Sequence, residues 1–190
     1  MVRTFAALAL AGLVALLAPL SIVTPARAAQ LVGDVVYHAP SGSYFGLAYD
    51  LAGRDGIGWS DARGRAEALS YKGRPGRLAV IDDVSKHNLV RDNFKHRRPA
   101  WFGLRYWCAP KMLAWVNLEP HMNEDFQVWM PAWHRSNVRC GVSRIRYMGV
   151  YYTPDTQMWQ AAGENKHFPY FFVEFAPLQQ NQSTTGNPDE

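Results

Sequence analysis

The six histidines, His38, His87, His96, His121, His134 and His167, are the side chains best placed to move protons near neutral pH. They are scattered along the chain. None forms the His-Glu-x-x-His pair of a zinc protease, and neither Cys108 nor Cys140 belongs to a Cys-x-x-Cys pair. A Gly-x-Ser-x-Gly elbow and a phosphate-binding glycine loop are also missing. Glu119 with Asp125, or Glu164 with His167, would be the acid–base pairs of an enzyme, but nothing in their spacing sets them across a substrate. They read as surface polar residues. Glu119, Asn123, Glu124 and Asp125 bring together oxygens of the kind calcium collects, yet the same cluster reads as a solvated acidic turn. The chain is expected to be no enzyme and to need no cofactor.

A different set suits binding. Trp107, Trp133, Arg135, Asn137 and Arg139 combine aromatic faces with guanidinium and amide donors. Such a set fits a ring that has apolar faces and fixed hydroxyls, or a protein surface, where Trp and Arg are common hot spots. For Trp133 the competing role is to pack its own loop against the core.

These residues need a scaffold, and the chain divides into two kinds of element. In the first half, Tyr44–Tyr49 reads as a strand closed by Gly53-Arg54-Asp55-Gly56. Trp59, Ala62, Ala66 and Leu69 recur on one helical stripe, which Gly73-Arg74-Pro75-Gly76 is expected to end. Leu78–Ile81 is a short apolar run. Asp82 or Asp83 can cap a second helix over about Val84 to Phe94. The second half has strand-like segments at 101–104, 113–116, 147–152 and 171–175. Between Val116 and Tyr147 lies a long aperiodic stretch rich in Trp, His, Arg and Asn. Long irregular segments in compact domains usually carry function, and Trp129 and Trp133 argue for order in this one.

The N-terminus assigns a compartment. Arg3 precedes an apolar run from Phe5 to Val23, and Ala26-Arg27-Ala28 gives the small-x-small pattern of a signal peptide cleaved after Ala28. The run is also long enough to anchor in a bilayer, but the cleavage pattern favours removal over membrane insertion. The mature protein is expected to be secreted or periplasmic. Removing residues 1–28 from 190 leaves 162, enough for one domain, with 18 basic against 16 acidic residues. That near balance argues against nucleic acid as a partner; only Lys95-His96-Arg97-Arg98 forms a basic run, which reads as a solvated loop. Two cysteines in an oxidising compartment point to a Cys108–Cys140 disulfide, whose closure of the intervening loop is worth roughly 3–4 kcal/mol. The folded unit is expected over residues 33–177, with a polar, disordered tail over 178–190.

The order of these segments resembles the C-type lectin-like domain. Trp59 and Ala62 on a first helix, Gly76–Ile81 and a second helix lead to Trp101-Phe102-Gly103-Leu104. Leu113-Ala114-Trp115-Val116, Trp129, Trp159 and a closing Phe171-Phe172-Val173-Glu174 follow. The resemblance implies an α+β fold: two helices packed on short twisted antiparallel sheets, with a long loop region. It further implies that Trp59, Trp101, Trp115 and Trp159 meet in one interior, and that Gly103 admits a close backbone approach. The chain departs from the family in two respects. Val173 stands where a closing cysteine belongs, so Cys108–Cys140 would instead tie the turn after a strand to the long loop, as in bacterial members without the usual bridges. Gln160-Ala161 and Pro131-Ala132-Trp133-His134 stand where the family's calcium ligands belong. The resemblance therefore implies a module that recognises carbohydrate without the usual calcium site. The alternative is protein–protein interaction or adhesion through the same surface, so the partner is a glycan or a cell-surface protein.

Overall fold

The structure, a computed structural model, describes residues 29–50, 55–122, 124–131, 140, 146–163 and 165–178. The expected signal segment 1–28 and nearly all of the expected tail lie outside them. In chain order the elements are β1 (Gln30–His38), β2 (Ser43–Tyr49), α1 (Trp59–Glu67), β3 (Ser70–Tyr71), β4 (Arg74–Leu78) and α2 (Val84–Asn93). They continue with β5 (Ala100–Trp107), β6 (Met112–Trp115), β7 (Pro120–His121), β8 (Tyr147–Tyr152), β9 (Trp159–Ala162) and β10 (Tyr170–Phe175).

The closing strand β10 organises the sheet. It pairs antiparallel with β2 and β4 and parallel with β5, so the expected antiparallel sheets are in fact joined by one parallel ladder. Apart from Glu174, its side chains are aromatic or aliphatic on both faces, because neither face is open to water. Phe172 enters one layer; Phe171, Val173 and Phe175 enter the other. β5 alternates in the same way, sending Phe102 and Leu104 to the first layer and Trp101 to the second. The first layer packs under Val90 and Phe94 of the α2 region and takes in Trp115, Trp129 and Trp159. The second packs under Trp59, Ala62 and Ala66 of α1. The four tryptophans expected in one interior are all buried, but they divide between two, because successive residues of a strand point to opposite faces.

Local chemistry sets the element ends. α1 carries the expected stripe, but it stops at Glu67. Gly73 does not end it; Lys72-Gly73, with φ of 49° and 74°, makes the two-residue turn of a β3–β4 hairpin, and Arg74–Gly76 are strand. Asp83 caps α2 by accepting the Lys86 amide at 2.9 Å. Gly103 does admit close backbone: its amide donates to Ala79 O at 2.8 Å, and a Cβ there would lie 2.8 Å from that oxygen. The basic run is solvated at Lys95, Arg97 and Arg98, whereas His96 turns inward and packs edge-on to Phe172 at 5.4 Å.

Two features hold the sheet where the family's usual bridges are missing. Val173 is fully buried on the face toward α1. Glu174, 2% exposed, accepts from Ser43 Oγ at 2.8 Å and from the Val80 amide and Arg77 Nε at 3.2 Å, tying β10 to β2 and β4. Cys108 and Cys140 are bonded, with Cα atoms 5.6 Å apart, which links the turn after β5 to the long segment. The described part of that segment contains the two-residue β7, a bridge between Trp129 and Trp159, and a helical residue at Pro131. Among the described residues no helix is long and apolar enough to cross a membrane.

Candidate functional site

Of the five expected ligand-binding residues, Trp107 is described; Trp133, Arg135, Asn137 and Arg139 lie outside the described residues. Trp107 ends β5, half-buried, beside the disulfide. The Arg105 guanidinium sits over its ring at 4.2 Å, and Tyr147 meets it edge-on at 5.5 Å. Alternation along β5 puts Arg105 and Trp107 on the α1 side of the sheet, where Tyr147 of β8 also contacts Trp59 at 5.4 Å. The result is an aromatic wall running from the first turn of α1 to the disulfide.

Below that wall opens a cavity of 430 Å³ between α1, β8 and the turn before β10. Trp59 and Tyr147 form its apolar side, and Ser60 and Asp61 of the first turn of α1 give it hydroxyl and carboxylate groups. Arg146, Lys166 and His167 line it as well. Gly149 permits the close seat of Trp59, since a Cβ at that position would lie 2.5 Å from the indole's Cβ and Cγ. The Trp59 Nε1–H donates to Phe102 O at 2.8 Å, which fixes the ring.

Arg105 is the unexpected member of the site. It is 6% exposed, its Nε has no hydrogen-bond partner, and among the described residues no carboxylate lies within ion-pair distance. Burial pulls its guanidinium below the ordinary range; nearby Arg63 adds to this and Tyr147 opposes it. Its contacts are π faces: Trp107, Trp59 at 5.4 Å and Tyr147 at 5.6 Å. One signal was present in the sequence, a single charge inside the aromatic run Trp101–Trp107. The cavity itself had none, because its residues come from four separated segments.

The described residues do not fit a calcium ion at the place the family uses. Gln160 Oε1 is occupied by the Tyr151 hydroxyl, which donates to it at 2.6 Å, and Ala161 has no side-chain oxygen. The acidic turn is likewise engaged in its own structure. Glu119 Oε2 accepts from Asn117 at 2.7 Å, and Asp125 Oδ2 accepts from the Met122 amide at 2.7 Å. Asn123 lies outside the described residues. Among those described, no three His, Cys, Asp or Glu side chains cluster as a metal site.

No protein-family model and no curated protein matches the chain. Solved structures do match it in shape. The C-type carbohydrate-recognition domain of cow CD23, determined in the presence of a GlcNAc2Man3 oligosaccharide, is similar with a TM-score of 0.52 and 18% identity, covering 72% of this chain and 89% of its own. The carbohydrate-recognition domain of the mouse scavenger receptor C-type lectin gives 0.50 and 16%, covering 70% and 92%. Human lithostathine gives 0.51 and 14%, covering 84% and 96%. With two helices, a mixed sheet closed by its terminal strand and a long segment between β7 and β8, this chain has the C-type lectin-like fold.

Proposed function

We propose that this protein is an exported, non-enzymatic C-type lectin-like module that binds carbohydrate without calcium, through the surface formed by Trp107, Tyr147 and the cavity beside α1. The observation that carries the reading is that cavity. Aromatic walls and polar rim groups converge on a concavity of 430 Å³, within the range of small-ligand sites, and Tyr147 joins it to Trp107. Sugar rings need such a pairing of π face with hydrogen-bonding groups. The cow CD23 domain of the same fold, solved with an oligosaccharide, supports the ligand class. Absence of calcium chemistry rests on Gln160 and Ala161, as above. Export rests on the segment 1–28 and on the Cys108–Cys140 bond, which persists best in an oxidising compartment.

A second reading, protein–protein interaction, is favoured by Leu118 and Met122. They are 75% and 52% exposed around the short β7, and Leu118 holds a φ of 71° that leucine rarely adopts.

A glycan array probed with the protein in calcium and in chelator tests the proposal. Binding should survive chelation and fall at least ten-fold in Trp107→Ala. Chelator-sensitive binding refutes the calcium-free mode. A blank array in both buffers refutes carbohydrate binding, and a protein partner lost in Leu118→Ser would then establish the second reading.

A further inference from the structure

Charge around the cavity is lopsided. Arg63, Arg65, Arg77, Lys86 and Arg91 each pair with an acid, whereas exposed lysines remote from the cavity, such as Lys72, Lys95 and Lys111, do not among the described residues. Arg146 and Lys166, which line the cavity, have no such partner among the described residues, and Arg105 stands unneutralised behind its aromatic wall. The first turn of α1 adds to the same sign. Gly58 caps the helix without a side-chain hydrogen bond, so the positive end of the helix dipole at the cavity's edge has no capping side chain. Asp61 is the one acid among the described lining residues, and as an acceptor it suits a hydroxyl rather than a second anion.

We infer that the cavity takes a sugar ring carrying a carboxylate: the acid group is held between Arg146 and Lys166, the ring lies against Tyr147, and its hydroxyls reach Ser60 and Asp61. This rests on the carbohydrate reading above and names the ligand class within it. A guanidinium can grip both oxygens of a carboxylate, and an ammonium adds a point charge from the side. The buried Arg105 lies outside salt screening far better than the rim groups do, so part of the attraction should persist at high ionic strength. A neutral sugar would leave the cations solvated but unpaired, and would gain the aromatic contact alone.

Calorimetric titration of the full chain with methyl β-glucuronide, methyl β-glucoside and acetate tests this. The two glycosides differ by the carboxylate, and acetate supplies the acid without the ring. Arg146 and Lys166 are exposed, so the double variant Arg146→Gln, Lys166→Gln should fold normally. The glucuronide should bind at least ten-fold more tightly than the glucoside, and in the double variant that ratio should fall to within about two-fold. Acetate should bind at least ten-fold more weakly than the glucuronide. Equal affinity for the two glycosides, or a preference that survives the double variant, overturns the inference and leaves the carbohydrate reading standing. Acetate binding as tightly as the glucuronide overturns it too, by making the site one for small anions. If neither glycoside nor any arrayed glycan binds, both readings fall.

Discussion

Replacing Gly149 by alanine puts a methyl carbon 2.5 Å from Cβ and Cγ of Trp59 and 2.6 Å from Cδ1. Carbon atoms rest at about 3.5–4.0 Å, so α1 and β8 must separate by about 1 Å or more. The atoms involved sit where Trp59 joins its own backbone, so rotation of the ring gives little relief. A shift of that size also pulls Trp59 Nε1 from Phe102 O, now 2.8 Å away, beyond hydrogen-bond reach. Overpacking costs about 1–3 kcal/mol and a broken buried hydrogen bond about 1–3 kcal/mol more, so the loss should total about 2–6 kcal/mol. With a urea slope of about 2 kcal/mol/M, the unfolding midpoint should fall by about 1–3 M. Gly64→Ala is the matched control. Its Cβ meets nothing within 4 Å in mid-helix, so the same added methyl should stabilise α1 by up to about 1 kcal/mol. Urea melts followed by tryptophan fluorescence measure both. A Gly149→Ala loss under about 1 kcal/mol would show that α1 does not pack on β8 as described.

Two further outcomes follow from the buried polar groups. Glu174→Ala strands Ser43 Oγ and the Val80 amide and should cost about 3–4 kcal/mol, whereas Glu174→Gln keeps one acceptor oxygen and should cost about half as much; equal losses in urea melts would refute the hydrogen-bonding role. Burial lowers the pKa of His87, His96 and His121 below 6.5, the first also through Arg91 and the last against the pull of Asp125 and Asp82. The unfolded chain then binds more protons than the folded one below about pH 6.5, so stability should be full above that pH and decline as pH falls from 6.5 toward 5. The carboxylate of Asp83, lowered from 3.8, begins to lose its contribution only in a more acid range. A flat urea midpoint between pH 7 and 5 would contradict neutral burial of the three histidines.

Much of the scaffold was legible because it depends on neighbours in sequence. The stripe of Trp59, Ala62 and Ala66, the Asp83 cap and the apolar runs that became β5, β8 and β10 all follow from local periodicity and capping. The Cys108–Cys140 bond was readable from the count of cysteines and the compartment. By contrast β1, β3, β4, β7 and β9 were not read as strands. β3 and β7 have two residues each, and β9, Trp-Gln-Ala-Ala, carries no strand signature apart from its pairing with β8. The binding residues expected in the long segment, Trp133, Arg135, Asn137 and Arg139, rested on composition and lie outside the described residues, whereas Trp107 ends β5.

By itself, the amino-acid order determined where the helices begin and where the strands that became β5, β6, β8 and β10 lie. Only the tertiary structure decided which layer each tryptophan joins, that Arg105 is buried among rings without an acid, and that Trp59, Tyr147, Arg146 and Lys166 meet around one cavity. The physical reason is range. Periodicity and capping act over a few residues, whereas the parallel pairing of β10 with β5 brings together positions about seventy apart, and only a folded chain supplies that contact.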